Sequence, residues 1–144
     1  MAQNRERLIK MEIQNETRHA RGLRLLSAVD GRGGEEVVAK VAAISPDFSR
    51  YLVEFAFGDI YARSGLDLKQ REIATIAALA TLGHGLPQLK VHVAAGLHVG
   101  LTRGEILEVI FQMAVYAGFP AALNALFAAQ EVFAAEDAKT AKTC

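Results

Sequence analysis

The amino-acid sequence predicts an all-α protein, a compact bundle of about six to seven helices. Apolar residues recur three and four positions apart along most of the chain, and no segment shows the strict alternation typical of a β-strand. Helix start and stop signals separate these periodic segments. The composition agrees with this fold class, because 51% of the residues are hydrophobic and only 7% are aromatic, so that alanine-rich helices can approach one another closely.

Three helices are predicted in the N-terminal part of the chain. The first runs from about Glu16 to Val29 and ends at the turn sequence DGRGG. A short second helix over 35–44 opens with two glutamates, which are favourable at a helix N-terminus. Ser45 as N-cap and Pro46 in the first helical position then predict a third helix, which ends at about Tyr61.

Four more helices are predicted after the sequence RSGLD, and they cover about 68–82, 87–99, 103–118 and 121–135. Asp67 with Gln70, and Thr102 with Glu105, have the spacing of a capping box, in which two side chains satisfy free backbone N–H groups at a helix start. Pro87 suits the first turn of the helix that follows the GHGLPQ loop.

The length of 144 residues fits one domain. We expect an N-terminal extension over 1–15, a single helical domain over 16–135 and a polar tail over 136–144. Lys and Arg together number 16, as do Asp and Glu, so the zero net charge argues against a nucleic-acid or membrane partner. The first residues lack the apolar core of a signal peptide, and we therefore expect a cytoplasmic protein.

The predicted helix over 68–82 is apolar around almost its whole circumference between residues 72 and 82. Such a helix must be buried on all sides, and a chain of this size has few places where that is possible. Part of this surface is therefore expected to contact another subunit, which predicts a homo-oligomer.

Two long segments resemble the carboxymuconolactone decarboxylase family. The first is FGDIYARSGLDLKQREIATIAALATLG, with a Gly-acid pair, an aromatic residue, a GLD turn and an apolar helix. The second is LKVHVAAGLHVGLTRGEILEVIFQMAVYAGFPAALNALFAAQEVF, with the histidine-led helix, the TRxE sequence and the Gln-x-x-x-Tyr-x-Gly-x-Pro run in the family order. The resemblance extends from about Arg21 to Phe133.

The resemblance implies an alkylhydroperoxidase-D-like helical fold that assembles into a ring, commonly a hexamer, with trimers or dimers as less favoured alternatives. It also implies one of two activities. One branch of the family decarboxylates a lactone dicarboxylate from protocatechuate breakdown without a cofactor. The other branch reduces peroxides with a CxxC pair, but the corresponding positions here read GHGLPQLKV, and the one cysteine is Cys144. Thiol–disulfide exchange needs an attacking and a resolving thiol, so we expect no such activity.

Three histidines lie between residues 84 and 98. His92 matches the family histidine and shares a helical stripe with Leu89, so it is expected on a pocket wall, where an imidazole can exchange a proton near pH 7. His84 is either a solvated loop residue or a second catalytic group, if its loop folds over the site. His98 lies about 240° around the helix from His92, so the two do not share a face and no metal site is expected.

Other polar residues occupy mostly apolar helices. Glu72 lies either at a solvent rim with Arg71 and Lys69, or in a pocket where burial raises its pKa and gives it a catalytic role. Gln112 and Tyr116 are four residues apart and are either pocket groups or contacts between helices.

The resemblance thus implies a decarboxylase that needs no cofactor and acts on a carboxylated lactone or a related acid of aromatic catabolism. His92, Glu72 and His84 are the candidate catalytic residues. A substrate carboxylate calls for a cation, and Arg71 and Lys90 are the candidates, together with Gln112 and Tyr116 as further substrate-binding groups. The alternative is a paralogue of the same superfamily without redox activity, or an oligomeric binding or scaffold protein that keeps the fold without catalysis.

Overall fold

Helices account for most of residues 16–143, the part of the chain that the computed structural model describes. In chain order they are α1 (Arg18–Ile44), α2 (Pro46–Tyr51), a π-helical segment π1 (Leu52–Tyr61), α3 (Leu68–Leu82), α4 (Leu86–His98), α5 (Arg103–Ala117) and α6 (Phe119–Thr143). The predicted all-α class is confirmed. The predicted extension over 1–15 and Cys144 lie outside the described residues.

The first two predicted helices form one helix with a kink. Gly31 has φ 55° and ψ −140°, a backbone conformation that is open to glycine and strained for other residues. The chain resumes its helical path directly after this residue, so the expected DGRGG turn is a change of direction inside α1 rather than a helix end. As a result, Asp30 is part of the helix and lies one turn after the buried Leu26.

The third predicted helix divides into α2 and π1. The Ser45 side chain accepts a hydrogen bond from the Phe48 backbone N–H at 3.3 Å, as its N-cap role predicts. From Leu52 onward the helix is wound more widely, and the Ala62 N–H donates to the carbonyl of Phe57, five residues back, at 3.2 Å. This wider winding ends at Tyr61, which contributes to the site described below.

Two glycines allow α1 and π1 to pack backbone against backbone. A Cβ atom on Gly22 would lie 2.2 Å from the carbonyl oxygen of Val53, and one on Gly58 would lie 2.6 Å from that of Arg18. The same contact is reinforced by the Arg21 side chain, which donates to the Gly58 carbonyl at 2.6 Å. The close spacing of α1 and π1 therefore requires glycine at positions 22 and 58.

We expect Gly22→Ala to lower the free energy of unfolding by about 2–3 kcal/mol, because the added methyl group has no space and α1 must move away from π1. Gly33→Ala is the matched control. Gly33 lies in the same helix with nothing near its Cβ position, so its replacement should stabilise the chain by about 0.5–1 kcal/mol. Urea unfolding measures both effects, and equal changes in the two variants would contradict the close packing.

The helices α3 to α6 enclose the larger apolar core. Both predicted capping boxes are present, with the Gln70 N–H donating to Asp67 at 2.8 Å and the Glu105 N–H donating to Thr102 at 3.1 Å. The core residues that are fully or almost fully buried are Ile76, Ala80, Leu89, Val93, Ile106, Ile110, Ala125 and Ala129. Alanines supply a large share of the α6 contacts, which fits the prediction of closely approaching helices.

The last helix is longer than the sequence indicated, because α6 continues past residue 135 to Thr143. Arg103 at the start of α5 donates to Asp137 at 2.6 Å, and Thr140 donates to the Glu136 carbonyl at 3.1 Å. These polar contacts support a helical segment that has little apolar surface to bury. Within residues 16–143, no helix has both the length and the hydropathy needed to cross a bilayer.

Candidate active site

A pocket of about 420 Å³ lies between α1, the α2–π1 pair and the N-terminal half of α4. Its polar lining residues are Asp30, Gln88 and His92, and most of the remaining lining is aliphatic or aromatic, including Leu26, Val37, Val38, Val41, Phe48 and Phe57. A concave, mostly apolar cavity with a few convergent polar groups is the usual form of a small-molecule site.

His92 and Glu72 form the centre of the polar network at this pocket. The Glu72 side chain is fully buried, whereas 20% of the His92 side chain is exposed toward the pocket. Their contact is a 2.9 Å hydrogen bond between His92 Nδ1 and Glu72 Oε2. Because a carboxylate can only accept, Nδ1 carries the proton of this bond, and Nε2 is the nitrogen left for a ligand. The buried alternative for Glu72 is therefore the one that the structure shows.

Tyr61 and Thr75 complete the hydrogen bonding around Glu72. The Tyr61 hydroxyl donates to Glu72 Oε1 at 2.9 Å and lies 2.8 Å from the Thr75 hydroxyl. Since the Tyr61 proton is used by the carboxylate, the Thr75 hydroxyl is the donor in the second bond. Both oxygens of Glu72 thus have a partner, which is the condition under which a buried acid is tolerated. Glu72 is oriented toward His92 and has no free oxygen for a ligand.

Burial alone would lower the pKa of His92, but the hydrogen bond and the negative charge of Glu72 outweigh it, with a smaller contribution from Asp30, so the net shift is upward. The shift is toward the imidazolium form, which Glu72 stabilises. Burial raises the pKa of the Tyr61 hydroxyl, and the neighbouring Glu72 charge raises it further, so Tyr61 remains a neutral donor.

Helical spacing brings these side chains to one place. Glu72, Ile76 and Ala80 occupy a buried stripe with a repeat of four residues along α3. His92 follows Leu89 and precedes Val93, which are both fully buried on α4. The apolar residues of these stripes fix how α3 and α4 pack, and that packing sets the distance between the acid and the histidine.

Asp30 is a pocket residue that the sequence analysis missed. The sequence DGRGG predicts a turn at this position, but Asp30 follows the buried Val29 and lies four residues after Leu26, so a continuing helix places it on the pocket side. Burial raises the pKa of Asp30 to about 6, the charge of His92 acts in the opposite direction, and the charge of Glu72 adds to the rise. Its buried Oδ1 has no hydrogen-bond partner among the described residues.

Two candidate cations are engaged away from the pocket. Arg71 donates to the Arg63 carbonyl at 2.8 Å and lies over the Tyr61 ring, and Lys90 is paired with Glu131 on α6. Neither lines the pocket in the described chain. The substrate-binding role of Arg71 and Lys90 stays a prediction, because in the structure each side chain contacts another protein group instead of the pocket.

The other candidates are exposed on the single chain. His84 lies in the turn between α3 and α4, and Gln112 and Tyr116 point outward from α5. The structure does not bring these three residues to the pocket with His92. His98 is also exposed and faces the kink, where a Cβ atom on Gly31 would lie 3.5 Å from its ring.

Within residues 16–143, no three His, Cys, Asp or Glu side chains are grouped as a metal site would require.

Sequence comparison identifies a matching family and several related proteins. The model of the carboxymuconolactone decarboxylase family matches residues 46–131, a range that includes Glu72 and His92. The chain is 32% identical over 122 residues to 4-carboxymuconolactone decarboxylase of Acinetobacter baylyi, an alignment that covers 84% of this chain and 90% of the relative.

Two further relatives are an uncharacterized protein and a second decarboxylase. An uncharacterized 15.0 kDa protein of Paracoccus denitrificans is 36% identical over 134 residues, which is 92% of this chain and 95% of that protein. The nitrosuccinic acid decarboxylase of Metarhizium robertsii is 30% identical over 102 residues, 68% of this chain and 71% of that protein. The extent of the family match and the coverage of these relatives show that the chain belongs to the carboxymuconolactone decarboxylase family.

Proposed function

We propose that this protein is a decarboxylase that needs no cofactor, and that its substrate is a carboxylated lactone or a related acid of aromatic catabolism. The observation that carries the proposal is His92 on the wall of an apolar pocket, with its Nδ1 bound by a fully buried carboxylate. This arrangement holds a histidine of raised pKa next to a mostly apolar space.

The names of two relatives support this class of reaction. One is a decarboxylase of a lactone and the other a decarboxylase of a nitro acid. In both substrates the electron pair left by departing CO₂ can move to an oxygen, in the carbonyl group of the lactone or in the nitro group. The requirement on the protein is the same in both cases, because it must stabilise that oxygen and return a proton to carbon.

The pocket residues account for each step of such a reaction. The apolar wall favours loss of charge from the substrate carboxylate, so the C–C bond breaks and CO₂ leaves without its electron pair. That pair moves through the conjugated system to the carbonyl oxygen, where the Nε2–H of the His92 imidazolium donates a hydrogen bond. The same proton then passes to carbon, which closes the electron balance and leaves neutral His92 to be reprotonated from water.

The role of Glu72 in this scheme is to position His92 and to favour its charged form. Both Glu72 oxygens are hydrogen-bonded to protein groups, so contact with a substrate would require breaking one of those bonds. Glu72 is accordingly proposed as a positioning residue, and His92 as the catalytic acid.

The proposal is tested by following CO₂ release from two lactones in the absence of added metal or coenzyme. One is 4-carboxymuconolactone, and the other is its analogue in which the carboxylate that is not lost is replaced by a methyl group. Turnover of either above the uncatalysed rate is the expected result. If neither lactone is turned over by the folded protein, the decarboxylase proposal fails and the alternative of a binding or scaffold protein is favoured.

We also propose that the chain forms a homo-oligomer, with a hexameric ring as the expected form. The surface that supports it is the α5–α6 apolar face, which consists of Phe111, Val115, Tyr116, Phe119, Leu123 and Phe127. Val115 and Tyr116 are 77% and 76% exposed on the single chain. An apolar face with this many large side chains is unusual on a monomer, and the zero net charge offers no repulsion between copies.

Light scattering coupled to gel filtration tests this assembly. The unchanged protein should elute as a multiple of the monomer mass, and Val115→Asp should shift it to smaller species because a charge is placed inside an apolar contact. Ser64→Asp, which adds the same charge in an exposed loop, should leave the mass unchanged. A monomeric wild-type protein would overturn the proposal.

A further inference from the structure

We infer that the pocket selects an acid with one carboxylate and an uncharged, apolar remainder, and that Asp30 is the residue that excludes a second carboxylate. This inference rests on the proposed decarboxylation at His92 and narrows its substrate class. It separates this chain from both relatives with named substrates, because 4-carboxymuconolactone and nitrosuccinic acid each carry two carboxylates.

The first argument is the lining of the pocket. Aliphatic and aromatic side chains from α1, α2 and π1 form most of its surface, and His92 is its only cationic group within residues 16–143. Its single positive charge can offset the charge of one carboxylate in the same pocket without direct contact between the two groups. A second carboxylate in this space would be desolvated against residues such as Val38 and Phe57 without a counter-charge, which is strongly unfavourable.

The second argument is the position of Asp30. Its side chain lines the same pocket as His92, and it lies near enough to His92 and Glu72 for their charges to affect its ionisation. The buried Oδ1 has no hydrogen-bond donor in the described chain, so no such bond offsets the charge of Asp30, and that charge repels a ligand carboxylate. With a pKa of about 6, Asp30 is mostly charged above neutral pH.

The third argument is that three basic side chains of α1 and α4 already have partners. Arg21 donates to the Gly58 carbonyl at 2.6 Å, and Arg24 donates to Glu16 at 2.9 Å. Lys90 is paired with Glu131 on the far side of α4 from His92, in contact with α6. Each of these side chains would have to give up its present partner to meet a second substrate carboxylate.

The range of the family match is consistent with this role. Residues 46–131 include Glu72 and His92, but Asp30 lies before that range. Function depends on the individual groups at a site rather than on the shared fold, so a residue outside the matched range can contribute to substrate choice.

The test compares hexanoate with adipate, which have the same number of carbons and differ in the second carboxylate. Binding to the full chain at about pH 7.5 is followed through the His92 ring signals in NMR spectra, which are assigned by their loss in His92→Asn. We expect hexanoate to bind at least about tenfold more tightly than adipate. This comparison needs no variant of Asp30, so it does not depend on how well a variant folds.

Asp30→Asn then assigns the selectivity to one residue. It should improve adipate affinity by about tenfold and change hexanoate affinity by less than about threefold, because only the second carboxylate meets the removed charge. Asp137→Asn is the matched control, since it removes the same charge from an exposed residue that is paired with Arg103. It should alter neither affinity.

Three results would overturn the inference: adipate binding as tightly as hexanoate, no binding of hexanoate at all, or an equal effect of Asp30→Asn on both acids. Failure of the proposed function gives a different result. In that case neither lactone releases CO₂, whereas the NMR titration still reports which acid the pocket accepts.

Discussion

His92→Asn is expected to lower kcat/KM for CO₂ release by about 10²- to 10⁴-fold, the usual contribution of a positioned general acid. Asparagine retains a polar group of smaller size on α4 but cannot carry a positive charge or transfer a proton. The reduction should lie mainly in kcat, because the proton is delivered after the substrate is bound. Initial rates of CO₂ release over a range of substrate concentrations separate the two parameters.

The matched control for this prediction is His98→Asn, which makes the same replacement on the same helix at an exposed position outside the pocket. Its kcat/KM should remain within about twofold of the wild-type value. Circular dichroism and gel filtration confirm that both variants keep their fold and assembly. Retention of wild-type turnover by His92→Asn would exclude His92 as the acid and would require another proton donor at the pocket.

Glu72→Ala should lower the free energy of unfolding by about 3–5 kcal/mol, which makes it the largest expected effect of a single substitution on stability. Glu72 is fully buried, and its loss leaves a cavity beside Ile76, His92 Nδ1 without its partner and the Tyr61 hydroxyl with Thr75 alone. Urea unfolding measures the change. Glu131→Ala, which removes an exposed carboxylate paired with Lys90, should change stability by no more than about 1 kcal/mol.

Glu72→Gln separates the charge of this residue from its shape. The glutamine amide can still accept from Tyr61, but it no longer stabilises a positive charge, so the pKa of His92 should fall. In the wild-type protein that pKa is raised in the folded state, so the resulting stabilisation is fully present below about pH 6.5 and is lost as the pH rises through the folded value. Glu72→Gln should therefore be more destabilising at pH 5.5 than at pH 9.

NMR titration of His92 in Glu72→Gln provides the readout that a purely structural role would not change. A lower pKa for His92, together with a rate of CO₂ release that is reduced more at high pH than at low pH, is the expected result. An unchanged pKa for His92 would show that the carboxylate does not control the protonation of the histidine.

The capping boxes show why much of the fold could be predicted. Asp67 with Gln70, and Thr102 with Glu105, form their hydrogen bonds within four residues of chain, so local sequence is sufficient to place both helix starts. The helix ends at Gly83 and Gly118 are equally local. The helix end predicted at DGRGG is wrong because a glycine-rich sequence permits either a helix end or a kink, and only the packing of α1 against other helices selects between them.

The site was predicted less completely than the fold. Periodicity placed His92 beside buried residues, and the family resemblance singled out the same position. Periodicity alone allowed two environments for Glu72, since a residue in the first turn of an apolar helix can face either solvent or core. Tyr61, Thr75 and Asp30 were not recognised, because each meets the site through a contact between separate helices rather than through a pattern along the chain.

The sequence by itself determined the all-α class, the order of the helices, the family and the helical stripe that carries His92. These properties depend on residues within one or two turns of each other, where backbone hydrogen bonding and side-chain spacing act directly. Only the tertiary structure decided that Glu72 is buried against His92, that Asp30 enters the same pocket, and that Arg71 and Lys90 are engaged elsewhere. Those outcomes depend on how the helices pack, because charges from distant parts of the chain acquire their partners only when the apolar stripes have brought them together.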